Sequence, residues 1–426
     1  MGNKYTYECT TCSNALDSNA IHYLCPDCSA NFPDALPPKG ILKTLYNYDS
    51  LKHKGMTFGH FKENHWLELL PINDLKSLPN LRVGDTPLYL FRKLAKEELN
   101  FDLYLKDDSQ NPTFSFKDRA STVVSAFARD NGINTIVTAS TGNAGSSLAG
   151  ICAAQGQKAI VMVPASAPIA KLTQIIMYDA TIVPVKGTYD DAFDLSVKAT
   201  KEFGWYNRNT AFNPLTIEGK KSVSFELFDQ LGETVPDRIF VPVGDGVIIS
   251  GVYKGFEDLL KLGIIDHMPT IVAVQARGSD NMVRNLENDV FQSKPSQTVA
   301  DSISVDYPRN FYMARDFIKN YKGEWVTVSD EDILEASRKL ASTTGLFAEP
   351  AAVAAFAGIL KYKESSKIPE GSKNVVLLTG SGLKDIKSLE KSLQIPEAIE
   401  PGIDELKKLT ERNAHEADRR INTNHQ

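Results

Sequence analysis

Lys117 lies in the run Asn111-Pro112-Thr113-Phe114-Ser115-Phe116-Lys117-Asp118-Arg119. A turn-forming Asn-Pro leads through small hydroxyl residues to a lysine set between an aromatic ring and an acid. Partial desolvation lowers the pKa of such a lysine and makes its amine a usable nucleophile. An amine of this kind forms a Schiff base with a carbonyl cofactor. A lysine at a helix start is more often solvated, so the reading depends on the rest of the chain.

A second group is Cys9, Cys12, Cys25 and Cys28, spaced C-x2-C-x12-C-x2-C. Two such knuckles joined by a short hairpin bring four thiolates to one tetrahedral point, which suits zinc. Disulfides are the alternative, disfavoured because the N-terminus has no apolar signal region. Four cysteine ligands leave no open coordination position, so the metal is expected to be structural. His22 is expected at the surface, and Cys152 in a core.

The elements that must position these groups follow from pattern. The 426 residues suffice for two to three domains, and 42% hydrophobic with 23% charged residues is ordinary for a globular protein. A net charge of -6 argues against nucleic acid as a partner. No apolar run is long enough to cross a membrane, so the cytoplasm is the expected compartment. Pro33 to Gly40 reads as a linker, which bounds a zinc-ribbon-like module at 1–36 and a catalytic domain at 37–426. Strands are expected at Thr135–Ala139, Lys158–Pro164, Thr181–Val185, Arg238–Val243, Thr270–Val274 and Asn374–Leu378. Helices are expected over Gly145–Gln155, Ala170–Tyr178 and Tyr189–Phe203. Val- and Ile-rich strands alternating with helices imply an α/β protein with parallel sheets. The tail after Glu390 is charged and helical in pattern, with fraying expected at Asn422 to Gln426.

Three loops follow expected strands, where ligands bind in open parallel sheets. Ser140-Thr141-Gly142-Asn143-Ala144-Gly145 combines hydroxyls, an amide and N–H groups at a helix start, which suits a carboxylate. Gly244-Asp245-Gly246-Val247-Ile248 is a glycine loop suited to a phosphate at the next helix. Thr379-Gly380-Ser381-Gly382 closes the last strand with a hydroxyl expected to face the same crevice.

Taken together, NPTFSFKDRAS, STGNAGSSLAG, the loop at Gly244, FAEPAAVAAFAG and LTGSGLKD resemble the threonine synthase family. Its members are pyridoxal-phosphate enzymes of the tryptophan-synthase-like fold. The resemblance covers nearly all of residues 80–390, including Val83-Gly84-Asp85-Thr86-Pro87-Leu88 and Gly187-Thr188-Tyr189-Asp190-Asp191-Ala192. It implies two subdomains, the smaller inserted at roughly 121–215, and often a homodimer. It also implies that Lys117 carries the cofactor and acts as general base. Asn143 would bond the cofactor's phenolic oxygen. Ser140, Thr141 and Ala144 would hold the substrate α-carboxylate. Gly244, Asp245, Gly246, Val247 and Ile248 would hold the cofactor phosphate, with Asp245 turned away from it. Thr379 would face the pyridine nitrogen. A hydroxyl there favours elimination and replacement over transamination.

Five positions depart from the pattern. Phe114 stands where glycine is usual and is expected to narrow the pocket or cover one cofactor face. Val247-Ile248 leave the phosphate loop with fewer side-chain donors. Ala211 and Thr216 stand where a serine and an arginine usually meet the substrate phosphate. Lys220, Lys221 and Arg208 read either as replacements or as solvated surface cations. The implied activity is removal of phosphate from O-phospho-L-homoserine with addition of water. The alternatives are cysteate-synthase-like replacement on O-phosphoserine, a dehydratase-like ammonia-lyase, or a non-catalytic protein that binds partners through the cysteine module.

Overall fold

The computed structural model describes residues 3–30, 36–390, 393, 395 and 397–410. The expected fraying at Asn422 to Gln426 lies outside the described residues, as do residues 33–35 of the expected linker. Contacts divide the chain into Met1–Ser388 and Leu389–Gln426. In the second unit, residues 403–410 are helical. The remaining description concerns the first.

Two largely parallel sheets dominate it. The larger has six strands in the order Glu324–Val328, Thr270–Ala276, Arg238–Pro242, Lys373–Leu378, Glu97–Asp107, Leu88–Leu94. Only the edge strand Leu88–Leu94 runs antiparallel to its neighbour. Ile271, Val272, Ala273 and Val274 have no exposure, so helices cover both faces, the condition that makes a parallel sheet stable. The smaller sheet has the order Thr181–Val185, Lys158–Pro164, Thr135–Ala139, Tyr206–Asn207, all parallel. The expected strands are thus present, and the fold is α/β.

Helix boundaries follow local chemistry. Tyr189–Phe203 begins with a reciprocal cap between Thr188 and Asp191 and ends at Gly204 in the left-handed region. The helix expected from Gly145 begins two residues earlier, at Asn143. The loop's amide therefore sits in the first helical turn. No helix of the described residues is long and apolar enough to cross a membrane.

The cysteine module is a three-stranded antiparallel sheet, Ala15–Asp17, Tyr5–Cys9, Leu42–Tyr46. Its third strand lies past the expected boundary at residue 36. Tyr5, Tyr7 and Leu42 share one apolar cluster with Ile239 and Val241 of the large sheet. Polar contacts reinforce this. Tyr46 donates to Glu218 at 2.7 Å, and the Asn207 N–H donates to the Tyr23 hydroxyl at 2.9 Å. The module therefore braces the segment from Tyr206 to Lys221.

Candidate active site

The carboxyl ends of the strands Thr135–Ala139 and Arg238–Pro242 open onto one cavity of about 420 Å³. Lys117 lines it, as do Ser140, Thr141, Asn143 and Ala144 of the first loop. Gly244, Asp245, Gly246, Val247 and Ile248 of the second loop line the opposite part. Thr379 does not line the cavity. It is buried beside the lysine loop, where its carbonyl accepts from the Phe116 N–H at 2.9 Å.

Lys117 is the first residue of the helix Lys117–Asp130. Its neighbours are fixed. The Asp118 carboxylate accepts from the Thr113 N–H at 2.7 Å and from the Thr113 hydroxyl. Arg119 pairs with Asp108 at 2.6 Å and with Glu226 at 2.5 Å. The Val83–Leu88 motif joins this network. Gly84 N–H donates to Asn111 at 2.9 Å and Thr86 to Asp108 at 2.7 Å. Between these anchored residues, the Lys117 amine has no hydrogen bond or ion pair among the described residues. Burial pushes its pKa down, Glu349 and Asp245 act in the opposite sense, and Arg208 adds to the depression. The result is a free amine enriched in its neutral, nucleophilic form.

Two helix starts face the cavity. At the first, Asn143 and Ala144 keep backbone N–H groups without intrahelical partners. Gly145 is required there, since a Cβ would lie 2.3 Å from the Ser140 carbonyl. At the second, the helix Val247–Leu262 begins after Gly246 with φ +86°. The first-turn N–H groups at Val247 to Ile249 point out of the helix toward the loop. Asp245 is held by its own contacts, accepting from the Arg309 N–H at 3.1 Å. At Gly246 a Cβ would lie 2.5 Å from Met282 Cε and 3.0 Å from Ala314 Cβ. Gly246→Ala is therefore expected to lower stability by about 1–3 kcal/mol, from left-handed strain and overpacking together. Denaturant unfolding checks this, and an unchanged midpoint would show that the turn tolerates a side chain.

Three expectations are corrected. Phe114 neither narrows nor covers the cavity. Its backbone is left-handed at φ +69°, and its ring is 51% exposed and outside the lining. Glycine suits this position for its φ, not for the space it leaves. Arg208, Lys220 and Lys221 are not solvated, because all three are fully buried. Lys221 is paired with Glu218 at 2.5 Å and Asp258 at 2.7 Å. Lys220 lines the cavity, whereas Arg208 sits behind Thr210, which does. Thr379 lies outside the lining, against the expectation that its hydroxyl faces the crevice.

Glu349 escaped the sequence reading. It is buried just before the helix Pro350–Glu364 and accepts from the Asn143 amide at 2.9 and 3.1 Å. Burial raises its pKa. An acid immediately before a helix-opening proline was the available signal. Side-chain pairs involve residues of the cavity rim. Lys171 meets Asp301 at 2.8 Å. Arg309 pairs with Asp190 and lies 4.3 Å from the Phe193 ring.

Residues 80–380 match the family model described as pyridoxal-phosphate dependent enzyme. The chain is 36% identical to a threonine synthase of Methanocaldococcus jannaschii, over 94% of this chain and 98% of the relative. It is 32% identical to a threonine synthase of Methanosarcina acetivorans, over 95% and 98%. Among solved structures it is similar in fold to threonine deaminase isoform 2 of Solanum lycopersicum, with TM-score 0.64 and 24% identity over 72% and 82%. Maize serine racemase gives TM-score 0.60 and 24% identity over 72% and 91%.

Proposed function

The chain belongs to the pyridoxal-phosphate-dependent enzyme family, and from that premise we propose that it is a threonine-synthase-like lyase. It converts O-phospho-L-homoserine and water to L-threonine and inorganic phosphate. One observation carries the reading. The cavity places an unpartnered amine, Lys117, between two helix N-termini, each able to bind one anion. The donor set fits the cofactor. Lys117 would hold its aldehyde carbon, and Gly244 to Ile248 its phosphate through backbone N–H groups, with Asp245 engaged elsewhere. Asn143 would bond its ring oxygen.

Pyridoxal phosphate, when bound, supplies an electron sink for negative charge developing at the substrate α-carbon. The chain's residues do the rest. Ser140, Thr141 and the N–H of Ala144 hold the α-carboxylate at the helix start, which orients the α-hydrogen. Lys117, freed when substrate takes its place, removes that proton and returns protons later.

In the same reading the four cysteines hold a structural zinc ion. Their sulfurs lie within 4.8 Å of one another, and none is in a disulfide. A tetrahedral Zn–S shell needs sulfurs about 3.8 Å apart, and Cys12 and Cys25 are already at 3.9 Å.

The activity is tested by measuring threonine and phosphate from O-phospho-L-homoserine. One threonine per phosphate is expected. Cofactor-loaded protein that releases no phosphate from this substrate, but does so from O-phosphoserine, would move it to a sibling reaction.

A further inference from the structure

We propose that Lys220, backed by Arg208, is the site that selects a phosphorylated side chain on the amino-acid substrate. This rests on the reading of the cavity as an amino-acid site in a pyridoxal-phosphate enzyme. It assigns phosphate recognition to two positions outside the serine and arginine pattern of the resemblance.

The chain's other fully buried cations set the standard. Lys106 pairs with Glu226 at 2.7 Å, Arg119 with Asp108 at 2.6 Å, and Lys221 and Lys254 with Asp258. Burying a cation without a partner is strongly unfavourable. Lys220 and Arg208 have no carboxylate partner among the described residues. The Lys220 amine makes one long hydrogen bond, 3.3 Å to the Thr216 carbonyl. Arg208 donates to Ser121 at 3.1 Å and Thr210 at 2.8 Å, and its Nη2 is buried with no partner. Both are fully buried. Burial pushes the Arg208 pKa down to about 10 and that of Lys220 well below its ordinary value, with the Arg208 and Lys117 charges further depressing the lysine. Such an arrangement persists where an incoming anion completes it.

Their placement is fixed by packing. Arg208 follows the strand Tyr206–Asn207, and its N–H donates to Val137 at 2.8 Å. Lys220 ends the helix Leu215–Lys220, pressed so closely on the helix Val247–Leu262 that a Cβ on Gly251 would lie 2.6 Å from Lys220 Cβ. Thr216 cannot serve instead, because its hydroxyl donates to the Asn213 carbonyl at 2.8 Å. Ala211 offers no donor. The two helix starts suffice for a carboxylate and for the cofactor phosphate. The cation pair is left for a third anion, and a phosphorylated substrate carries one.

The test measures binding to the cofactor-loaded enzyme by calorimetry. The ligands are L-2-amino-5-phosphonopentanoate, in which a methylene replaces the ester oxygen, and L-norvaline, which lacks the phosphonate. Loss of charge-assisted hydrogen bonds predicts that Lys220→Gln weakens phosphonate binding about 10- to 100-fold. Norvaline binding and cofactor content should stay within about twofold, and Lys220→Arg should restore most of the preference. Arg208→Gln should act in the same direction and carries the test if Lys220→Gln does not fold. The proposal is overturned if both variants keep the phosphonate preference, or if both ligands weaken equally. It is also overturned if cofactor content falls while the preference survives, since the cations would then serve the cofactor phosphate. Wild-type protein that prefers the phosphonate yet does not turn over O-phospho-L-homoserine keeps this site and removes the proposed activity instead.

Discussion

Lys117→Ala is expected to reduce turnover by about a thousandfold or more, the scale seen when a covalent catalytic group is removed. The reason lies in how little else that side chain does. Its amine bonds to nothing among the described residues, whereas Asp118 and Arg119 are locked into buried networks. The substitution therefore removes chemistry and leaves structure, and the melting temperature should move little. Phosphate release from O-phospho-L-homoserine measures the loss. Borohydride reduction followed by peptide mass analysis measures its cause, a pyridoxyl group fixed to the peptide carrying Lys117 in the wild type and absent from the variant. Turnover within about tenfold of wild type would sink the assignment.

The second large effect is expected at the cysteine module. Cys25 has no exposure, and its sulfur sits among three others. Cys25→Ser breaks the ligand set, and structural zinc sites contribute on the order of 10 kcal/mol to folding. A loss of several kcal/mol is expected, together with loss of one zinc per chain by mass spectrometry. The damage should not stay local. The strand Leu42–Tyr46 pairs with the ribbon strand that ends at Cys9 and carries the tyrosine that bonds Glu218. A fully active, equally stable variant that binds no metal would overturn both the ligand set and the bracing.

Much of this was legible in the chain. Thr135–Ala139 and Thr181–Val185 announce themselves because strands buried on both faces must be Val- and Ile-rich over their whole length. The glycine loops were legible because close approach and left-handed turns demand residues without a Cβ. Charge burial was not. Lys220 and Lys221 are adjacent, yet one is paired by Asp258 from a distant helix and the other lines the cavity. That difference is set by how the helices Leu215–Lys220 and Val247–Leu262 pack, and no local pattern encodes it. Phe114 misled for a related reason. Residue type suggested a wall, but its backbone φ directs the ring outward. The pairing of Glu349 with Asn143 spans 206 residues and depends on the whole sheet order.

The rim and the floor of the cavity differ in their access to ions. Lys171 and Asp301 are 40% and 60% exposed, and such pairs contribute about 0–1 kcal/mol. At physiological ionic strength the screening length is about 8 Å, so dissolved electrolyte reaches these contacts readily. Lys220 and Arg208 have no exposure to it. Electrolyte concentration therefore acts on the rate at which the mouth admits and releases small molecules. Which of them stays is decided deeper, at the two buried cations.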